Sequence, residues 1–227
     1  MKRAFPILAV LTAVLLAYAF YEALWVAPME RTMGDVQRIF YYHVPSAWTA
    51  FLLFSVNLVA SVIYLVRRSA KADAVALVAA EVGVVFCTVV LVTGPIWARP
   101  VWGIWWTWDV RLTTTLVLWL IYVSYLVLRR FSDSSQTPKL AAVLAIFGAL
   151  DVPLVYFSIW FFRTQHPQPV IGGGGSIDPR MLHVLLINWL AFSCFAFLVC
   201  WARYRLELLQ REVEEAEGLE SLQGVTR

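Results

Sequence analysis

Along this chain, stretches of about 20 residues with very little charge alternate with short segments that carry most of the Lys, Arg, Asp and Glu. A helix needs roughly 20 apolar residues to cross the hydrocarbon core of a bilayer. The pattern predicts six transmembrane helices, at about residues 5–27, 46–66, 74–97, 112–128, 140–162 and 182–202. Lys2 and Arg3 precede the first run as they would in a signal peptide. That run is too long for one, and Leu24-Trp25-Val26-Ala27-Pro28 lacks a small-residue cleavage pattern, so it is read as an uncleaved helix. No soluble domain, glycine-rich nucleotide motif or longer repeat lies between the runs. The expectation is an all-α, polytopic membrane protein with a single domain over 1–202 and a tail over 203–227.

Composition agrees with this reading. Of 227 residues, 61% are hydrophobic and 15% charged, too few polar groups to cover a soluble core of this length. The net charge of +3 is small and its basic residues are scattered, which excludes a nucleic-acid footprint and leaves the lipid bilayer as the expected surroundings. The basic residues set topology instead. Lys2, Arg3, Arg67, Arg68, Lys71, Arg129, Arg130, Lys139, Arg203, Arg205, Arg211 and Arg227 fall on one side, and Arg31, Arg38, Arg99, Arg111, Arg163 and Arg180 on the other. Twelve against six places both termini in the cytoplasm and turns the loops 28–45, 98–111 and 163–181 outward. The tail, with Leu206, Leu209, Val213 and Ala216 at helical spacing among glutamates, is expected to continue the last helix before fraying.

All three histidines, His43, His166 and His183, lie on the outer side. Between the first two, the segment from Trp97 to Thr113 holds five of the eleven tryptophans: Trp97, Trp102, Trp105, Trp106 and Trp108. One or two tryptophans there would be interfacial anchors. Five, interrupted by Gly103 and closed by Asp109-Val110-Arg111, make a wide, rigid apolar surface suited to a planar ligand. Asp109 and Arg111 either pair with each other or, in the case of Arg111 and Arg99, meet carboxylates of that ligand. Val36, Ile39, Phe40 and His43 share one helical stripe, read as a short interfacial helix before helix 2, with Pro45 in the first turn of helix 2. Asp178-Pro179 reads as N-cap and first residue of helix 6, after the flexible glycines at 172–175.

The string from Trp102 to Thr113 resembles the WWD signature of the heme-handling membrane proteins of cytochrome c biogenesis. The chain is similar to their short six-helix form, the cytochrome c maturation protein C or heme exporter protein C family. The likeness also covers Tyr42-His43-Val44-Pro45-Ser46-Ala47-Trp48, Leu91-Val92-Thr93-Gly94 and Ser176-Ile177-Asp178-Pro179. It implies a bacterial inner-membrane protein that binds heme b at its outer face and delivers it to a membrane-tethered periplasmic heme chaperone. An ATP-binding cassette complex then assists release of the loaded chaperone. It further implies axial ligation of heme iron by His43 and His166, a stacking platform from Trp102, Trp105, Trp106 and Trp108, and orientation by Asp109 and Arg111. The chain departs from the family pattern at Phe161-Phe162-Arg163-Thr164-Gln165-His166-Pro167, where Trp-Trp and Leu-His-Gln are usual, and at Pro95 and Ala98. His183 has no counterpart and reads as a capping or packing residue.

Neutral imidazole is a common axial ligand of heme iron, so histidines beside an aromatic platform fit that chemistry on their own terms. Glu81 and Asp151 are the deepest carboxylates, read as neutral and hydrogen-bonded, with Asn57 and Asn188 as candidate partners. Cys87, Cys194 and Cys200 form no C-x-x-C motif and read as small buried hydrophobes. No residue reads as a nucleophile or general acid, which points to positioning rather than catalysis. The rival readings are an electron carrier of the cytochrome b type, a transporter of heme or a small solute with Glu81 and Asp151 on its path, and a purely structural subunit.

Overall fold

A computed structural model describes residues 4–132, 134–162, 164–166 and 177–225. It contains six helical spans long and apolar enough to cross a membrane, and no strand among the described residues. Helix α1 (Ala4–Tyr21) runs into a wider π turn, Glu22–Val26. A 3-10 turn, Asp35–Ile39, leads directly into α2 (Phe40–Arg67), which is followed by α3 (Ala70–Trp102) and α4 (Val110–Phe131). The fifth span is broken at Leu150 into α5 (Thr137–Ala149) and α6 (Asp151–Phe161), and α7 (Pro179–Val225) closes the bundle. Pro153 supplies a reason for the break, since it has no N–H to donate back to Ala149.

Helix boundaries follow from local chemistry. Ser69 caps α3 by accepting the Ala72 N–H at 3.4 Å, and Asp109 caps α4 by accepting the Leu112 N–H at 2.9 Å. Asp178 accepts the Arg180 N–H at 2.8 Å with Pro179 as the first residue of α7, the cap and start that the sequence predicts. Two expectations are corrected. Helix α3 ends at Trp102 rather than near residue 97, because Pro95 and Pro100 are tolerated within it and the stop comes from Gly103 at φ +78. At 1.5 Å per residue, its 33 residues are more than a hydrocarbon core of about 30 Å takes. Helix α2 begins at Phe40, so His43 occupies its first turn instead of a preceding loop, and Pro45 lies one turn deeper than expected. The 3-10 turn passes into α2 without a gap because nothing between Ile39 and Phe40 breaks the ladder.

Helix α2 packs against α3, α5 and α7, and α4 against α3, α5 and α6. At the centre the Phe54 ring stacks on Tyr122 with centroids 3.8 Å apart, and Gly83 of α3 gives Phe54 the room to do so. Outward faces remain apolar, as on α1 at Ile7, Val10, Leu11 and Val14, which suits contact with lipid rather than water.

Toward the end where α3 begins, Glu81 is not hydrogen-bonded by an asparagine as expected. Arg203 of α7 reaches it at 2.9 Å. Arg203 also pairs with Glu207, Glu207 with Arg211, and Arg211 with Asp73, whose carboxylate takes Arg129 in a two-pronged contact. The sequence offered no basic partner inside the apolar runs, yet the long Arg203 side chain extends back to Glu81 from the next turns of α7. Asn57 and Asn188 serve the backbone instead, donating to Ala76 O at 2.7 Å and to Ala19 O at 3.2 Å. Asp151 is buried, with Oδ2 unpartnered among the described residues. Residues 203–211 are thereby tied to the bundle, and α7 continues unbroken beyond them.

Candidate heme site

At the opposite end, the connections α1–α2 and α3–α4 and residues 165–166 beyond α6 meet over a cavity of about 530 Å³. This is within the ~300–1,000 Å³ typical of small-molecule sites. Its wall includes His43 and Ala47 from α2, Cys87, Gly94, Trp97 and Trp102 from α3, Trp106, Arg111 and Thr115 around the start of α4, Val155 from α6, and Gln165 and His166 beyond it.

Each contribution has a local cause. The turn before α2 is tied by Glu30, whose carboxylate accepts the Thr32 N–H at 2.8 Å and the Met33 N–H at 2.6 Å, setting Thr32 and Met33 on the cavity rim. Hydrogen bonding to Thr32 and Met33 holds the Glu30 carboxyl below its usual pKa. Arg38 donates to Ala23 O at 2.8 Å, covering a carbonyl that the end of α1 leaves open. These contacts fix the entry to α2 and hence His43. Its Nδ1 lies 2.9 Å from Thr93 Oγ1, and its ring meets Trp97 edge to face at 5.8 Å.

His166 occupies the second position. Its ring meets Trp102 edge to face at 5.3 Å, and its backbone N–H donates to Thr164 Oγ1 at 3.2 Å. Neighbouring Gln165 donates its N–H to Asp109 Oδ2 at 3.2 Å. Burial, assisted by the Arg111 charge and opposed by Asp109, lowers the His166 pKa to about 4. The imidazole is therefore neutral at pH 7, with a lone pair free to bind a metal. Its Nδ1 is buried without a partner among the described residues. The guanidinium of Arg111, on the same wall, makes no hydrogen bond or ion pair with the described residues, and the Asp109–Arg111 pairing considered from sequence is not formed; its backbone carbonyl is engaged, by Thr115 Oγ1 at 2.7 Å. Arg99 is occupied by the Gly103 carbonyl.

The structure thus brings His43, His166, Trp102, Trp106 and Arg111 to one cavity. Asp109 lies behind it, holding α4 and Gln165. Trp105 and Trp108 are 58% and 75% exposed and face away from the wall. His183 is exposed on α7 and does not line the cavity. The glycines at 172–175 lie outside the described residues. Sequence reasoning missed Trp97 and Thr93 as neighbours of His43, although both stood in strings already singled out. Cys87, read as a buried hydrophobe, is buried and also contributes to the wall. Among the described residues no three His, Cys, Asp or Glu side chains converge, so no closed site for a bare metal ion is built.

This is a six-span helical membrane protein whose one end encloses an aromatic cavity carrying two imidazoles and a guanidinium. The profile of the family described as Heme exporter protein C matches residues 1–218. The chain is 36% identical over 222 residues to the heme exporter protein C of Bradyrhizobium diazoefficiens, covering 96% of this chain and 84% of that protein. It is 34% identical over 202 residues to the heme exporter protein C of Escherichia coli strain K12, covering 88% and 80%. A mitochondrial protein of Marchantia polymorpha, named as similar to this family in cytochrome c biosynthesis, is 35% identical over 185 residues, covering 81% and 78%. The chain belongs to the heme exporter protein C family.

Proposed function

We propose that this protein handles heme for cytochrome c biogenesis, binding heme b in the cavity at its outer face and passing it to a membrane-tethered periplasmic heme chaperone. The observation that carries the reading is the meeting of His43 and His166, from distant segments, on one tryptophan-lined wall. Two nitrogen donors without a third ligand suit an iron already held by a porphyrin and open only at its axial positions. Bound heme would supply those two positions and a vinyl edge for the chaperone's own nucleophile.

The remaining roles belong to this chain's side chains. Trp102 and Trp106 offer flat apolar contact, each worth about 1 kcal/mol beyond its area. Arg111, whose guanidinium has no partner among the described residues, is available to a propionate through charge-assisted hydrogen bonds. Asp109 orients the loop that carries His166. Trp105 and Trp108 stand outside, where an incoming chaperone would meet them. Acceleration of heme attachment would come from positioning, since among the described residues Cys87, a buried thiol, is the strongest nucleophile on the cavity wall. The surplus of basic residues at the other end supports cytoplasmic termini and a heme site turned toward the periplasm of a bacterial inner membrane. An ATP-binding cassette complex for release of the loaded chaperone belongs to the same reading. A transport path through Glu81 is less well supported, because that carboxylate is engaged by Arg203.

The test is heme hand-over in proteoliposomes containing the purified protein and its chaperone. Trp102→Ala with Trp106→Ala should reduce heme retained by the protein, whereas Trp105→Ala with Trp108→Ala should leave heme bound and slow its transfer. Normal retention and transfer in both double variants would refute the platform.

A further inference from the structure

We propose that Thr93 is a positioning residue that locks His43 as the Nδ1–H tautomer and thereby offers Nε2 to the cavity. The Thr93 hydroxyl has one proton, and it is directed at the Val89 carbonyl, one helical turn back, at 2.6 Å, with Val90 O at 3.5 Å. Towards His43, 2.9 Å away, the same oxygen is left only as an acceptor. Nδ1 must therefore donate, and a neutral imidazole that carries its proton on Nδ1 has its lone pair on Nε2. Nε2 has no hydrogen-bond partner among the described residues, and His43 lines the cavity.

Two further features of α3 adjoin this arrangement. Gly94, the next residue, faces the ring, where a Cβ would stand 3.4 Å from His43 Cε1, at ordinary contact distance. Trp97, one turn beyond Thr93 on the same helix, meets the ring edge to face. One face of α3 thus sets the proton and tilt of a side chain on α2. A hydrogen bond to the far nitrogen of a ligating histidine fixes ring orientation and raises ligand basicity, and its removal costs roughly 10–100-fold in metal affinity. The consequence for ligation rests on the heme reading above; the tautomer itself does not.

The experiment uses the full-length protein in detergent micelles with 15N-labelled histidine, free of heme, at pH 7.5. The three imidazoles are assigned from His166→Ala and His183→Ala spectra, and the Nδ1 and Nε2 shifts report the tautomer of His43. Wild type and Thr93→Ser should carry the proton on Nδ1, and the isosteric Thr93→Val should lose that preference. After heme is added, Thr93→Val should bind roughly 10–100-fold more weakly, with Thr93→Ser near wild type. A wild-type His43 protonated on Nε2, or a tautomer unchanged in Thr93→Val, overturns the role of Thr93. If His43→Ala leaves the axial spectrum of bound heme unaltered, the heme reading fails and the tautomer result stands apart from it.

Discussion

The Asp109 carboxylate accepts the Gln165 backbone N–H at 3.2 Å, joining the first turn of α4 to the residue before His166. One oxygen caps the helix and the other holds the loop, so a single side chain serves both. Replacing Asp109 with Asn should keep the cap and weaken the loop contact, lowering heme retention with little change in thermal stability. Asp109→Ala should lose both and cost about 1 kcal/mol in addition. Thermal melts of the heme-free protein beside heme titration separate the two effects; wild-type heme affinity in both variants would contradict the link.

The His166 ring should titrate near pH 4 in the heme-free protein. Its folded pKa is depressed below the ~6.5 of a free imidazole, so the stability tied to the neutral ring is complete above about pH 6.5. That stability is lost as pH falls through the folded value. An NMR pH titration of labelled histidine checks this, and a midpoint near 6.5 would mean that the ring is solvated rather than buried.

Much of this arrangement was legible in the sequence, and the misses share a cause. Six apolar runs give six spans because the bilayer demands length and hydropathy, both local properties. Asp178 and Pro179 mark the start of α7 for reasons contained within a turn of chain. Glu81 and Arg203 are 122 residues apart and Thr93 and His43 fifty, so neither partnership leaves a trace in spacing. His43 was found by its motif but placed in a loop, because Pro45 suggested a helix start and the helix in fact begins at Phe40. The tryptophans could be counted but not sorted: Trp97, Trp102 and Trp106 turn inward while Trp105 and Trp108 turn out, which depends on where α3 ends.

Asp73 carries both Arg129 and Arg211 while itself only 4% exposed. Asp73→Asn should therefore destabilise the bundle by up to roughly 3 kcal/mol, since the Arg129 guanidinium loses its counter-charge and Arg211 keeps only Glu207. The proposed heme site is at the other end and should keep its spectrum. A lowered melting temperature with unaltered heme absorption is expected; an unchanged melt would show the network to be dispensable.

Gly83→Ala probes the centre of the fold. A Cβ there would come within 2.7 Å of Phe54 Cε1, and Phe54 cannot retreat without leaving its stack on Tyr122. A loss of about 1–3 kcal/mol is expected from this overpacking, measured by thermal unfolding in detergent. A Phe54→Leu partner change should recover part of it.

The central claim is that His43 and His166 bind the two axial positions of one heme iron. The direct measurement is the absorption spectrum of the purified heme-loaded protein, oxidised and reduced, beside His43→Ala, His166→Ala and His183→Ala, each with and without added imidazole. Wild type and His183→Ala should show a six-coordinate, low-spin iron. His43→Ala and His166→Ala should each show an open position that imidazole fills, because the missing group is one nitrogen donor and the tryptophan wall remains. Unaltered low-spin ligation in both His43→Ala and His166→Ala would contradict the account, and loss of ligation in His183→Ala with His166→Ala intact would move the second ligand to α7.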